Sequence, residues 1–268
     1  MGSSSSFKEE KQMVEKLANR ILAVETSTDF LGVSIVDAGG VRFEITTSQP
    51  RIHSALLLPL CVYALEMVDV ELNDIDCFAV STGPGSFTGL RIGCAAVQGL
   101  ALARNKPVVK VPTFEVYLRQ CRGYDNLAVV QGRAKGQTVC AFYRRALLPY
   151  QNGEGFWNEY GFEQVVTIGP RSYEEFCQDL MKSAKERIWV TGDAAYEFAE
   201  FASTCLPCEV RLVDEYLLLP RPGIVGLIGR QMFAHGQAVH PSLVVPEYYR
   251  KSYAEVIFSQ RQDEGEMP

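Results

Sequence analysis

The residues that could do chemistry concentrate in one stretch, Ser81-Thr82-Gly83-Pro84-Gly85-Ser86-Phe87-Thr88-Gly89-Leu90-Arg91-Ile92-Gly93. Gly83, Pro84, Gly85 and Gly89 fall between a buried strand over 76–81 and a helix over 90–104, so the backbone there must be tightly defined. Free amides at a helix N-terminus, with the helix dipole behind them, can hold an anion. The stretch is not a Walker loop, because Gly89 is followed by Leu90 and Arg91 rather than Lys and Ser or Thr. Nor is it the dinucleotide fingerprint, since the Gly83, Gly85, Gly89 spacing holds one residue too many. Ser86 lacks the flanking glycines of a nucleophile elbow and has no histidine nearby in sequence. The competing account is structural: a strand-to-helix turn that needs glycine for positive φ.

Metal and thiol chemistry find less support. His53 is followed four residues later by Leu57, so an i, i+4 ligand pair is missing. His235 and His240 flank Gly236 and Pro241 without an acidic ligand beside them, and read as a helix C-terminus and its loop. The eight cysteines sit mostly in apolar runs, where Cys behaves as a small hydrophobe, and read as a buried, reduced set. Cys205-Leu-Pro-Cys208 is the only C-x-x-C; lacking a second ligand pair or a helix N-terminus, it reads as a loop.

The elements that must position these residues follow from periodicity. Ile21 to Glu25 is a short apolar run, and 31–37 and 41–47 alternate around Gly39-Gly40, which predicts a three-stranded antiparallel meander. A helix over 53–68, containing Pro59, precedes the strand at 76–81; the helix at 90–104 and a strand at 108–111 close an α/β lobe. A second lobe follows, with strands at 127–131, 139–145, 188–191 and 209–213 and helices at 172–185, 195–203 and 223–234. Ser172 and Glu175 have the capping-box spacing. The stretch 150–163 reads as a long loop or hairpin excursion. The expected organisation is an N-terminal extension or expression-derived segment (1–20), a first lobe (21–115), a second lobe (116–220), a helix and tail returning to the first lobe (221–255) and a frayed end (256–268).

Composition sets the outer bounds. The chain has 268 residues, 47% hydrophobic and 22% charged, which suits one large α/β domain or two compact lobes. No stretch approaches the ~20 uninterrupted apolar residues of a membrane span, and no secretory h-region follows the N-terminus. A cytoplasmic protein is expected. Met1-Gly2 with Ser6 formally fits a myristoylation pattern, but no polybasic cluster supplies a second membrane signal. The net charge of −6 argues against a chain that clasps nucleic acid by itself. Arg133, Lys135, Arg144 and Arg145 form a modest basic group, read as a solvated strand edge.

Two helices look able to meet a partner. Small residues recur four apart on the second, at Gly89 and Gly93 and at Ala95, Gly99 and Ala103. The first is apolar over more of its circumference than one lobe needs. His53, Leu57, Leu60 and Ala64, with Gly89, Arg91, Gly93, Ala96, Gly99 and Ala103, are the expected partner-facing residues.

Four stretches together resemble the TsaB (YeaZ) family: Ile21-Leu-Ala-Val-Glu25-Thr26-Ser27-Thr28, Arg51 to Pro59, Gly83 to Gly93 and Pro246 to Ala254. The match runs in order over roughly residues 20–255. The resemblance implies a two-lobed actin-like/hexokinase-like ATPase (ASKHA) fold, each lobe a mixed sheet flanked by helices. It also implies the non-catalytic dimerisation subunit of the bacterial tRNA threonylcarbamoyladenosine (t6A) machinery. The first-lobe helices would pair with TsaD, the catalytic paralogue, or with a second copy of the chain. TsaE, an ATPase, would join, and the complex would modify adenosine 37 of tRNAs reading codons that begin with A. The paralogue carries two metal-binding histidines on its first helix that this chain lacks. Related ATPases end their first strand on Asp, where this chain has Glu25. Gly192-Asp193-Ala-Ala matches their second phosphate loop only in part, with Ala194 in place of glycine. Glu25, Thr26, Ser27 and Asp193 therefore form at most a weak nucleotide pocket, and the favoured expectation is a degenerate one. No metal, no catalytic residue and no cofactor are expected in the isolated chain, with adenine nucleotide (ATP or ADP) reserved for a junction with TsaD. The rival is an ATP-binding kinase-like or metallopeptidase-like enzyme of the same fold.

Overall fold

The structure, a computed structural model, describes residues 19–48, 52–132, 138–146, 161–183 and 186–249. The N-terminal segment up to residue 18, Arg51, Arg133, Lys135, the 150–160 part of the expected excursion and everything after Tyr249 lie outside the described residues.

β1 (Ile21–Glu25), β2 (Leu31–Asp37) and β3 (Gly40–Thr47) form the expected antiparallel meander. β4 (Cys77–Gly83) and β5 (Val108–Pro112) join in parallel on the other side of β1, giving the order β3-β2-β1-β4-β5. The β1–β4 register sets Ala23 beside Ala79. Both strands are buried along their whole length and correspondingly apolar, as central parallel strands covered on both faces must be. α1 (His53–Met67) and α2 (Phe87–Arg104) are the crossovers on one face.

The second sheet repeats this plan. β6 (Leu127–Gln131), β7 (Thr138–Ala146) and β8 (Gly161–Arg171) form its antiparallel part, and β9 (Ile188–Thr191) and β10 (Val210–Leu212) its parallel part, in the order β10-β9-β6-β7-β8. α4 (Tyr173–Ser183) and α5 (Ala195–Cys205) hold the places of α1 and α2. Two sheets with the same connectivity, each flanked by helices, make a two-lobed α/β fold. The capping box forms as spaced: Ser172 N–H donates to the Glu175 carboxylate at 2.8 Å, and Glu175 N–H to Ser172 Oγ at 3.2 Å.

Two short helices tie the lobes together. α3 (Thr113–Gln120) follows β5 and sends Phe114 and Tyr117 into the second lobe's core. α6 (Pro222–Ala234) comes after the second sheet yet packs on the first, placing Val225 and Ile228 against Ile21, Ala23, Cys77 and Ala79. Gly226 and Gly229 bring it close, since a Cβ on either would overlap Val36 or Ala79. Arg119 on α3 then donates to Gln231 Oε1 on α6 at 2.9 Å.

Three features differ from the sequence expectation. α2 begins at Phe87 rather than Leu90, so Phe87, Thr88 and Gly89 are its first turn and not loop. Helix α3 and strand β8 were not expected at all. No helix among the described residues is long and apolar enough to cross a membrane.

Candidate functional site

β1 delivers Glu25 to the head of the first sheet, where its carboxyl is fully buried. The carboxyl accepts a hydrogen bond from Ser27 N–H at 2.6 Å and another from the Ser81 hydroxyl on neighbouring β4. Burial pushes its pKa above the ordinary carboxylate value, against the pull of those bonds.

The glycine-rich stretch lies directly over the turn that follows. Gly83 has φ of +123°, a conformation that favours glycine, and its peptide bond to Pro84 is cis. Ser86 N–H donates to Ser27 C=O at 2.6 Å, and Ser86 Oγ caps α2 by accepting from Gly89 N–H at 3.2 Å. A Cβ at Gly85 would overlap the Ser27 carbonyl, one at Gly89 the Thr26 carbonyl, and one at Gly93 Thr26 Oγ1. These three glycines let the loop and the first two turns of α2 rest on residues 26–27. Both accounts of the stretch meet here: the turn needs glycine, and an amide that could have held an anion serves the cap.

The second lobe closes the other side. Gln131 Nε2 reaches Ser27 C=O at 3.3 Å, and Gly132 N–H donates to Asp193 Oδ1 at 2.6 Å. Gly192 N–H and Ala194 N–H are taken by the carbonyls of Leu218 and Val130. Tyr117 from α3 is buried with its hydroxyl unpartnered; burial, Asp193 and Glu25 together push its pKa well above the tyrosine value. The structure thus gathers Glu25, Thr26, Ser27 and Asp193 near the junction of the lobes and adds Ser81, Tyr117 and Gln131, which sequence spacing gave no reason to link.

The last described stretch covers the loop from outside. Glu247 N–H donates to Thr82 C=O at 2.7 Å, and the Tyr248 ring stacks on Phe87 with centroids 4.5 Å apart. The glycine-rich and Pro-Glu-Tyr-Tyr stretches, distant in sequence, are one structural unit.

The expected partner face is partly corrected. His53, Leu57 and Ala64 of α1 and Gly89 and Gly93 of α2 point inward: Leu57 and Ala64 fill the core and the two glycines seat α2 on Thr26. Leu60 and Ala96 are half-buried; Arg91, Gly99 and Ala103 are exposed. The exposed large apolar side chains of these helices are instead Leu58, Val62 and Met67 on α1, each about half exposed (48%, 55% and 51%), and Leu102 on α2 (53%). Arg144 donates to Ser183 C=O at 2.6 Å and Arg145 pairs with Asp125 at 3.5 Å. Their strand β7 lies inside the sheet between β6 and β8, so these two arginines do not mark an edge. His235 caps the C-terminus of α6, as its neighbours suggested. Among the described residues no group of three His, Cys, Asp or Glu side chains is gathered as metal ligands.

The tRNA threonylcarbamoyladenosine biosynthesis protein TsaB of Escherichia coli strain K12 is 32% identical to this chain, over 88% of the chain and 96% of its own length. The chain belongs to the TsaB family. The Bacillus subtilis strain 168 TsaB is 25% identical over 90% of the chain and 99% of its own length. Residues 34–147 also match the family model described as TsaD, tRNA N6-adenosine threonylcarbamoyltransferase. The solved structure of YeaZ from Pseudomonas aeruginosa has the same fold, with a TM-score of 0.67 at 23% identity over 86% of this chain and 99% of that one. TsaB membership connects the chain to threonylcarbamoyladenosine biosynthesis, and the head of its first sheet is the place where its glycine-rich and C-terminal stretches converge.

Proposed function

We propose that this chain is the accessory, non-catalytic subunit of the tRNA N6-adenosine threonylcarbamoyltransferase complex, binding and supporting TsaD for t6A formation. The observation that carries the reading is the outer face of α1 and α2. Their inner residues fill the core, while Leu58, Val62, Met67 and Leu102 remain about half exposed on adjoining helices. Beside them Ala95, Gly99 and Ala103 are exposed, and the Cβ position of Gly99 meets nothing within 4 Å, so another helix backbone can approach closely. Exposed apolar side chains on two adjoining helices suit a protein partner.

The non-catalytic part of the proposal is supported at the head of the first sheet. The carboxyl of Glu25 is engaged within the fold by Ser27 N–H and the Ser81 hydroxyl. The amides of Ser27, Gly132, Gly192 and Ala194 are already donated to protein acceptors, so these residues do not fit a phosphate cradle. Adenine nucleotide, on this reading, binds at a junction with TsaD rather than to this chain alone. TsaE joins the assembly, a homodimer forms through the same face when TsaD is absent, and tRNA is met mainly through the complex, in the cytoplasm.

The test is co-purification of TsaD with a Val62→Asp, Leu102→Glu double variant. The proposal expects association to be lost while the isolated chain melts within a few degrees of wild type. Unchanged association, with the fold intact, overturns the assigned face.

A further inference from the structure

The structure brings Cys205 of the C-x-x-C pair against a thiol that is remote in sequence. Cys205 is the last residue of α5, and its Sγ lies 3.4 Å from Sγ of Cys177 on α4, 28 residues earlier in the chain. Cys177 is buried against the second lobe's core, whereas Cys205 and Cys208 are half-exposed. The two helices pack side by side, so both sulfurs are held on facing elements rather than on mobile loops. A disulfide bond of ~2.0 Å requires them to close by about 1.4 Å, within the reach of side-chain rotation and small helix shifts. Metal binding is the other use of clustered thiols, but no group of three ligands is gathered among the described residues.

We propose that Cys177 and Cys205 are an oxidation-ready pair that a small-molecule disulfide, such as oxidised glutathione, converts into an α4–α5 cross-link. Cys205 is the entry point because oxidant can reach it. Its thiolate attacks one glutathione sulfur, the glutathione S–S bond breaks, and one glutathione thiolate leaves and takes up a proton. Cys177 then loses its proton to solvent and attacks the Cys205 sulfur of the mixed disulfide, expelling the second glutathione. One glutathione disulfide is reduced to two thiols, and two protein thiols are oxidised to one disulfide. Burial pushes the Cys177 thiol up to about 12, so the second step is slow at neutral pH and accelerates as pH rises. Cys208 neighbours the entry thiol and competes for the mixed disulfide. The 3.4 Å approach favours Cys177 as the resolving group.

The experiment is non-reducing tryptic mapping of the full chain after incubation with oxidised glutathione, with free thiols alkylated first. Cys177 lies in peptide 172–182 and Cys205 with Cys208 in peptide 188–211. The proposal expects these two peptides to be linked, with Cys208 alkylated, and the link to vanish in Cys205→Ser but persist in Cys208→Ser. It also expects the oxidised chain to melt at higher temperature than the reduced one, because the cross-link constrains the unfolded chain. An internal Cys205–Cys208 bridge as the main product overturns the proposal. So does glutathione retained on Cys205 with Cys177 alkylated only after denaturation.

Discussion

Arg91 Nε donates a 2.9 Å hydrogen bond to the hydroxyl of Tyr248, 157 residues later in the chain. The same guanidinium lies 4.0 Å from the centre of the Phe87 ring, on which Tyr248 stacks. Three residues from the two most distinctive stretches therefore form one layered contact. It accounts for an arginine and a phenylalanine in the glycine-rich stretch without invoking a ligand.

Tyr248→Ala should lower stability by about 1–2 kcal/mol, because it removes both the stacking and the hydrogen bond. Tyr248→Phe keeps the ring and should cost roughly 1 kcal/mol or less. Urea unfolding midpoints of the two variants check the ordering; equal losses would mean that the stacking contributes nothing.

Glu25 predicts a pH effect with a definite sign. Its folded-state pKa is raised above the unfolded value of 4.5, so the neutral carboxyl favours the fold. Its contribution is complete below pH 4.5 and is lost as pH rises from there through the folded-state value. Glu25→Gln keeps a neutral group able to accept from Ser27 N–H and donate to Ser81 Oγ. The stability of Glu25→Gln relative to wild type should therefore grow with pH over that window. Parallel pH profiles of the two proteins in chemical denaturation would refute it.

The glycines of α2 should divide sharply. Gly93→Ala drives a Cβ into Thr26 Oγ1 and should destabilise by several kcal/mol or prevent folding. Gly99→Ala meets open space and should stabilise the helix by about 0.5–1 kcal/mol. Thermal melts of both variants read the contrast.

Neighbouring leucines on α1 should differ as much. Leu57→Ala opens a hole in the first lobe's core and should cost about 2–5 kcal/mol. Leu58→Ala, on the outer face, should stay within about 0.5 kcal/mol in the isolated chain. Denaturation midpoints measured at low protein concentration, where self-association is negligible, make the comparison.

The first lobe was legible because its central strands are continuous apolar runs bounded by turns, and both crossover helices are long. Residues 161–171 escaped notice because β8, among the described residues, is an edge strand paired only with β7 and buried at few positions, and it carries Gly169 and Pro170 near its end. α3 is eight residues long, starts after Pro112 and includes β-branched Thr113 and Val116, too little to establish a helical period. The first turn of α2 was hidden by Gly89, a poor helix former whose place is fixed by the Thr26 carbonyl. α1 is apolar on nearly every side, so its sequence could not say whether Leu57 or Leu58 faces the core. Ser81, Tyr117, Gln131 and the Cys177–Cys205 pair join elements remote in sequence, and no local pattern reports such meetings.

The packing of α6 on the first sheet has a consequence for synthesis. One face of β1 and β4 is covered largely by a helix encoded after the whole second lobe, with Val116 of α3 beside it. As the chain leaves the ribosome, the packing over Ala23, Cys77 and Ala79 stays incomplete until residues 222–234 arrive. The N-terminal lobe is thus the first to be made and the last to be finished, and a nascent chain stalled within the second lobe would present an open apolar sheet to chaperones.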